Sequence, residues 1–341
     1  MWRPFWPKGG LMIEWYTFKP IDTLFFKGAQ PMEIGQNHTA SAIFPPAPQT
    51  ISGALRTAYL KQNNVSFTDY NHGDVKPDVH LAIGKSGQKA PFQVIGPLFL
   101  YKKTVFVPTP YHWYTDKNLE KSENTIPIYK AKPLNTTNQV FKACNTQLLW
   151  AKGKSSELKT LGGQWMTKDL LLTQENQVTL LATLPNNECL TKTILDQSAF
   201  YSTEQRTGIA LKSDRQVREG CLYSFTHYRL APEVVLFFGV TQKLDLASNG
   251  VMMLGGEKRF GHYEKCSVDI MELRAENSQC FMALSAVEST KELDECLMAA
   301  GRPLYRGGWD MHKRFHKPLT GFYPAGSVFN KNLGDNFVAL L

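Results

Sequence analysis

Four separate segments of the sequence place basic residues beside glycines and aromatic rings. Lys and Arg pair with phosphates, glycine lets another backbone approach closely, and aromatic rings stack on bases that are not paired. The combination therefore suits an RNA backbone with splayed bases. The basic residues and glycines concerned are Lys27, Gly28, Arg56, Arg206, Arg215, Arg218, Gly255, Gly256, Lys258, Arg259, Lys313 and Lys317.

Each segment also has an ordinary structural interpretation. The basic residues between Lys192 and Arg229 fit a solvated hairpin as well as an RNA contact. The run Leu254–Tyr263 can form a nest of N–H groups that holds an anion beside Lys258 and Arg259, or a plain hairpin turn. Trp309 and Phe315 can stack on bases, and Trp309 can equally belong to a small core under a loop. The residues leave these alternatives open.

The segment Phe44–Leu60 predicts a stiff proline loop that leads into a helix capped by Thr50. An apolar stripe with helical spacing then predicts a face that packs on a sheet. Gly53 lies off that stripe and is a poor residue for a first turn, by about 1 kcal/mol relative to Ala. Its presence indicates that something approaches the backbone closely. One candidate is an RNA phosphate held by the helix N-terminus and Arg56, and the other is a tight helix-to-sheet contact.

The sequence contains no recognisable arrangement of catalytic residues. Metal-independent RNA cleavage requires a general base near the ribose 2′-OH, for which His38, His227 and His262 are the candidates, with Lys27 or Arg259 as charge stabilisers. None of them occurs in a recognisable pairing. The acids form no Asp-x-Asp or His-Asp cluster, so we expect no metal and no cofactor.

The composition favours a globular protein with a polyanionic partner. The 341 residues are 43% hydrophobic, and 38 Lys and Arg against 30 Asp and Glu give a net charge of +8. The six cysteines contain no Cys-x-x-Cys pair, as expected for thiols in a reduced cytoplasm. The longest apolar run, Val234–Val240, is far shorter than the roughly 20 residues that span a membrane, so we expect no membrane partner.

The order of predicted elements divides the chain into five segments. A strand at Ile13–Phe18, the helix, and strands at Val79–Ile83 and Phe92–Tyr101 fit the start of a ferredoxin-like (RNA-recognition-like) unit. The predicted division is a disordered leader (1–11), an N-terminal ferredoxin-like domain (12–110), a variable insertion with a short helix (111–190), a projecting β-hairpin (191–228) and a C-terminal ferredoxin-like domain (229–341).

Read together, five motifs resemble a known family. They are Pro20–Gly28, Phe44–Arg56, Val94–Leu100, Gly307–Asp310 and Pro324–Phe329. In this order they resemble the RAMP subunit that caps the 5′ end of the guide RNA in type III-B CRISPR effector complexes of the Cmr kind. The leader before Met12 and the Lys- and Asn-rich stretch at 112–163 depart from that pattern.

The resemblance implies an α+β RAMP fold with two ferredoxin-like units, a β-hairpin thumb and a variable insertion. It implies a non-catalytic subunit that grips the 5′ handle of the guide RNA, bridges the large polymerase-type subunit to the backbone RAMP subunit, and meets target RNA only indirectly. Two alternatives stay open: a metal-independent endoribonuclease that processes guide precursor RNA, and an assembly subunit without RNA contact.

The resemblance also implies where RNA binds. The loop from Lys27 to Gln30, the segment from Gln49 to Arg56 and the glycine-rich Gly255–Arg259 would line the handle site, and Arg206, Arg215 and Arg218 would belong to the thumb. The full set of predicted RNA-binding residues is Lys27, Gly28, Gln30, His38, Gln49, Ser52, Gly53, Arg56, Arg206, Arg215, Arg218, Gly255, Gly256, Lys258, Arg259, Lys313 and Lys317.

Overall fold

A computed structural model describes most of the chain. The described residues are 13–28, 39–40, 42–118, 125–133, 149–173, 176–186, 189–268, 278–310 and 315–340. For residues 39–40, 218–221, 308–310 and 316, only the backbone is described. The predicted leader (1–11) lies outside these ranges.

Strands dominate the described chain, and helices are few, which confirms the α+β prediction. The helices are α1 (Pro48–Gln62), α2 (Phe67–His72), α3 (Pro77–Ile83) and α4 (Lys291–Cys296). The strands are β1 (Glu14–Pro20), β2 (Thr39–Ala40), β3 (Val94–Tyr101), β4 (Thr104–Pro108), β5 (Trp113–Asp116), β6 (Thr125–Pro127), β7 (Tyr129–Lys130), β8 (Lys132–Pro133), β9 (Leu149–Trp150), β10 (Leu158–Thr160), β11 (Trp165–Thr167), β12 (Gln177–Leu181), β13 (Thr193–Leu195), β14 (Tyr201–Leu211), β15 (Val217–Leu230), β16 (Val234–Val240), β17 (Asn249–Met253), β18 (Phe260–Cys266), β19 (Phe281–Ala283), β20 (Val287–Glu288), β21 (Leu297–Ala299), β22 (Leu304–Asp310), β23 (Phe315–Tyr323), β24 (Val328–Phe329) and β25 (Phe337–Ala339).

A ten-stranded sheet organises the molecule. Its spatial order is β17-β18-β1-β16-β3-β4-β11-β13-β12-β6, and all neighbours are antiparallel except β12 and β13. Strand β16 lies between β1 and β3, so the predicted segments 12–110, 111–190 and 229–341 all contribute strands to one sheet. Smaller sheets are formed by β14-β15-β2, β10-β5-β7, β8-β9, β20-β23-β22 and β21-β24-β19-β25.

Helix α1 packs its apolar stripe on β17 and β3. Ile51 and Leu55 are fully buried there, as the helical spacing predicts. The predicted start was wrong, because the helix begins at Pro48 with Ala47 as its N-cap. Proline is well accommodated at the first helical position, where its missing N–H would have no helical partner anyway.

The segment Val79–Ile83 was predicted as a strand and is part of α3. Pro77 opens this helix, Asp78 lies in its first turn, and Gly84 ends it with a positive φ of 76°. These residues are start and stop signals that outweigh a short apolar run. No helix within the described ranges is long and apolar enough to cross a membrane.

Strands β14 and β15 form a long antiparallel hairpin, called the thumb hairpin below. Its base is attached to the body because Leu24 and Tyr228 exchange two backbone hydrogen bonds of 2.8 Å. Its tip, Lys212–Gln216, is exposed. The hairpin predicted between 191 and 228 is therefore present, with its strands at Tyr201–Leu211 and Val217–Leu230.

Candidate nucleic-acid interface

Three distant parts of the chain meet around the buried ring of Phe25. The ring stacks on His227 with centroids 5.4 Å apart and contacts Phe225 at 5.0 Å, and both of these residues belong to the thumb hairpin. The carbonyl oxygen of Phe25 accepts a hydrogen bond of 2.8 Å from the N–H of Gly256, in the turn between β17 and β18. The predicted loop, the glycine-rich turn and the thumb hairpin therefore form one continuous surface.

The glycine-rich segment is a hairpin turn whose glycines allow close packing. Gly255 has a φ of +89°, and a Cβ at this position would lie 2.4 Å from the carbonyl oxygen of Phe25. Glu257 and Lys258 both have positive φ, and the N–H of Arg259 donates to the carbonyl of Gly256 at 3.3 Å, as in a type I′ turn. The hairpin-turn interpretation is thus correct, and the turn presents the exposed Lys258.

Two lysines on this surface are available to an anion. Lys27 and Lys258 are exposed, and neither forms an ion pair with any residue of the described ranges. Gly28, next to Lys27, is buried, so the lysine extends from a packed backbone. A lysine side chain ends in three N–H donors, so both side chains can contact phosphates.

The nearby arginines are instead paired within the protein. The Asp22 carboxylate accepts a hydrogen bond of 2.9 Å from Arg229 on Oδ1, and bonds of 2.9 Å from Arg206 and 3.0 Å from Arg259 on Oδ2. Glu204 also binds Arg206 at 2.8 Å and Arg229 at 2.7 Å. This cluster of five residues, called the Asp22 network below, joins the loop after β1 to the thumb hairpin and to the β17–β18 turn.

The charges of the network shift the pKa of Asp22 downward. Burial by itself would raise the pKa, but the hydrogen bonds from Arg206 and Arg229 outweigh it and hold the pKa at about 2. Asp22 is therefore ionised at any physiological pH. Three arginines against two carboxylates leave the network with one excess positive charge, which adds to the field around Lys27 and Lys258.

The residues predicted on α1 differ in their surroundings, because Arg56 is bonded within the protein whereas Gln49 and Ser52 reach the surface. Arg56 binds its own chain: Nη1 donates to the carbonyl of Gln88 at 2.9 Å, and Nη2 donates to the carbonyl of Lys85 at 2.6 Å and to the hydroxyl of Tyr70. Gln49 is exposed, and Ser52 is half-buried. The guanidinium of Arg56 thus fastens α1 to the loop after α3.

Gly53 faces open space. Within the part of the chain that the structure describes, no heavy atom outside the helix's own backbone and the neighbouring residues lies within 4 Å of the position that its Cβ would take. The tight helix-to-sheet contact considered from the sequence is therefore wrong, because the sheet packs on the opposite face of the helix. A side chain at this position would therefore extend into solvent.

We expect Gly53→Ala to stabilise the isolated protein and to weaken RNA binding. Alanine in a helix is favoured over glycine by about 1 kcal/mol, which raises the melting temperature by about 2 °C in a chain of this size. The added methyl group would occupy the space available to a backbone phosphate. Thermal unfolding and equilibrium RNA binding measure the two effects. Lys61→Ala, later in the same helix, is the control, and an unchanged RNA affinity in Gly53→Ala would contradict the prediction.

The other predicted residues lie elsewhere. Arg215 is exposed at the tip of the thumb hairpin, and Lys317 is exposed on β23, in a different sheet. Gln30, His38 and Lys313 lie outside the described residues, as does the side chain of Arg218. The surface around Phe25 therefore brings together Lys27, Gly28, Arg206, Gly255, Gly256, Lys258 and Arg259.

The two described candidate histidines occupy unlike environments. His227 is 1% exposed, and its Nδ1 forms a hydrogen bond of 3.0 Å with the Thr23 hydroxyl. Burial, assisted by the charges of Arg259 and Arg206, lowers the pKa of His227. His262 is exposed on β18, opposite Lys19 and Val251. Among the described residues, no three His, Cys, Asp or Glu side chains are grouped so that they could hold a metal ion.

Asp22 and Phe25 were not predicted as organising residues. The partners of Asp22 lie 184 to 237 residues away, which no local pattern can indicate. Arg306 was also missed. Burial lowers its pKa to about 10, and its Nε has no hydrogen-bond partner among the described residues. Its Nη2 donates to the carbonyl of Pro45 at 3.4 Å. Arg306 thereby ties the β22–β23 hairpin to the proline segment before α1.

Solved structures with the same architecture support the fold. A chain in a cryo-EM structure of the type III-B Cmr-beta complex bound to cognate target RNA and AMPPnP aligns with a TM-score of 0.51 at 14% identity, over 92% of this chain and 85% of that chain. A chain in a second Cmr-beta structure, bound to cognate target RNA, aligns with a TM-score of 0.50 at 16% identity, over 93% and 86%. No curated protein sequence matches the chain.

A family model identifies the chain. The model of the CRISPR-associated protein Cas_Cmr3 matches residues 16–298, a range that contains most of β1 and all of α1, the thumb hairpin and the β17–β18 turn. This match confirms the resemblance seen in the sequence motifs. The chain therefore belongs to the CRISPR-associated Cmr3 family and is a RAMP subunit of the Cmr kind of type III CRISPR effector complex.

Proposed function

We propose that the chain is a non-catalytic subunit that grips the 5′ handle of the guide RNA and joins the large polymerase-type subunit to the backbone RAMP filament in the cytoplasm. In such an assembly base pairing reads the sequence of the target, and the protein holds the shape and backbone of the guide. Target RNA is then met through the guide.

One observation carries the RNA-binding part of this proposal. The exposed, unpaired Lys27 and Lys258 belong to a single surface whose backbone is held rigidly by the contacts of Phe25 and Gly255. A rigid backbone keeps the spacing of the two ammonium groups constant, which suits contacts to particular phosphates. The Asp22 network, with one excess positive charge, includes Arg259 of the same turn as Lys258.

The environment of the histidines supports a non-catalytic role. A general base must come within hydrogen-bond reach of the ribose 2′-OH. His227 does not meet this requirement, because the ring of Phe25 stacks on it and its Nδ1 is hydrogen-bonded to the Thr23 hydroxyl. His262 is accessible, but its cross-strand neighbours Lys19 and Val251 offer no carboxylate that would orient its ring. Of the two described candidates, His227 is thus blocked and His262 lacks an orienting partner on its neighbouring strands.

We expect the double variant Lys27→Ala/Lys258→Ala to bind repeat-derived RNA about tenfold more weakly. Loss of two phosphate contacts to a single strand should also reduce the slope of log K against log salt by about 1.4. Filter binding over a range of salt concentrations measures both quantities. Lys61→Ala/Lys76→Ala is the matched control, because it removes the same charge from exposed positions on α1 and at the start of α3.

Two outcomes would contradict the proposal. Equal losses of RNA affinity in the control and test variants would show that the effect comes from net charge alone. No loss of affinity in either variant would favour an assembly subunit without RNA contact. Specific cleavage of repeat RNA that disappears in His38→Ala, His227→Ala or His262→Ala would establish the endoribonuclease alternative.

A further inference from the structure

The insertion between β5 and β10 contains a lysine-rich stretch that is bounded by Glu123 and Glu157. From residue 124 to residue 156 there are five lysines, at positions 130, 132, 142, 152 and 154, and no Asp or Glu. In the structure, Lys132 on β8 lies directly opposite Trp150 on β9. Directly paired side chains on antiparallel strands have Cβ atoms about 5 Å apart, so the lysine side chain and the indole ring lie on the same face of the β8–β9 pair.

Trp150 is unusually accessible. Its exposure is 65%, whereas tryptophan is highly buried on average. Lys132, Lys152 and Lys154 are exposed as well, and none of them forms an ion pair with another described residue. An exposed indole ring, with Lys132 opposite it and the exposed Lys152 and Lys154 two and four residues further along the chain, is therefore presented to solvent.

The loop that carries Lys152 and Lys154 is held in place by Asp116. This carboxylate is 9% exposed; its Oδ1 accepts a hydrogen bond of 2.8 Å from the N–H of Ser155, and its Oδ2 accepts one of 2.7 Å from the hydroxyl of Tyr129. The Tyr129 hydroxyl in turn accepts a bond of 3.2 Å from the N–H of Lys154. Asp116 thus fixes the loop backbone, and Glu157, the next acid along the chain after Lys154, pairs with Lys117 at 2.8 Å.

We propose that Trp150, Lys132, Lys152 and Lys154 bind single-stranded RNA, with the indole ring stacked on a base and the three lysines contacting phosphates. Aromatic rings combined with a basic track are the usual means of binding a single strand. Lysine is depleted in protein–protein interfaces, which argues against a protein partner here. The β6 and β12 strands beside this insertion lie at the other end of the ten-stranded sheet from β17 and β18, so this contact is separate from the surface around Phe25.

The test uses the full chain and an oligouridine that carries photoreactive 4-thiouridine. We expect Trp150→Ala to bind the oligouridine about tenfold more weakly without a change in salt slope, and Trp150→Phe to recover most of that loss. The triple variant Lys132→Ala/Lys152→Ala/Lys154→Ala should reduce the salt slope by about 2. Cross-linking should attach the RNA to the peptide that contains Trp150.

A charge-matched control is Lys61→Ala/Lys76→Ala/Lys89→Ala, which changes exposed lysines of the helical region. The proposal is overturned if this control lowers the slope equally, if no cross-link reaches the Trp150 peptide, or if the Trp150 and lysine variants keep their RNA affinity but lose a co-purifying protein subunit. Lys27→Ala/Lys258→Ala should leave the Trp150 cross-link intact, so the failure of this inference can be told apart from failure of the handle proposal.

Discussion

Gly255→Ala is expected to destabilise the protein by about 3 kcal/mol and to abolish high-affinity RNA binding. At a φ of +89° an L-residue costs about 1–2 kcal/mol, and the new Cβ would lie 2.4 Å from the carbonyl oxygen of Phe25. Since that contact is with backbone, no side-chain rotation can relieve it. The turn must move away, which breaks the 2.8 Å hydrogen bond from Gly256 to Phe25 and displaces Lys258.

A matched variant separates the clash from the backbone conformation. Gly87 also has a positive φ, +74°, but no atom of the described residues beyond its chain neighbours lies within 4 Å of its Cβ position. Gly87→Ala should therefore cost only about 1 kcal/mol in urea unfolding, with no change in RNA affinity. Equal destabilisation of the two variants would show that the contact with Phe25 is unimportant.

Asp22→Asn is expected to lower the free energy of unfolding by about 2 kcal/mol at pH 7 while strengthening non-specific RNA binding. The neutral amide cannot balance the charges of Arg206, Arg229 and Arg259, and the charge-assisted hydrogen bonds to these residues are lost. Because the network is partly exposed, solvent screening reduces the free energy that these bonds contribute. The same arginines, released from the carboxylate, would be available to phosphates. Urea unfolding and salt-dependent binding of a homopolymer RNA measure the two opposite effects.

The stabilising contribution of Asp22 depends on pH. The pKa of Asp22 is held at about 2 in the folded protein, below its ordinary value of 3.8, so its contribution is complete above about pH 4 and is lost as the pH falls towards 2. The stability difference between the wild type and Asp22→Asn should shrink over that interval. Asp245→Asn is the control, since Asp245 forms one exposed pair with Lys243. A difference that stays constant from pH 7 to pH 2 would contradict the role of the network.

Local patterns predicted some parts of this molecule and not others. The stripe on α1 follows from helical spacing, which depends only on neighbouring residues, and Ile51 and Leu55 are buried as expected. Helix α3 was missed because its apolar run of five residues fits a strand equally well, and the capping signals at Pro77 and Gly84 decide the matter.

Long-range features escaped prediction for a different reason. The place of β16 between β1 and β3 and the three arginines around Asp22 depend on contacts between residues far apart in the chain. The basic residues were noticed, but the sequence cannot tell Lys27, which stays exposed, from Arg56, which binds the carbonyls of Lys85 and Gln88. That distinction decides which positive charges are available to RNA.

The position of β1 between β18 and β16 affects how the protein can fold during its synthesis. This strand, with Trp15, Tyr16 and Phe18, pairs on its two edges with β16 and β18, whose residues are translated more than 200 positions later. At ribosomal rates of about 5–20 residues per second, β1 therefore waits at least about 10 s with both edges open. During that interval the nascent chain exposes an aromatic strand prone to aggregation, and the surface around Phe25 can assemble only after Cys266 has left the ribosome.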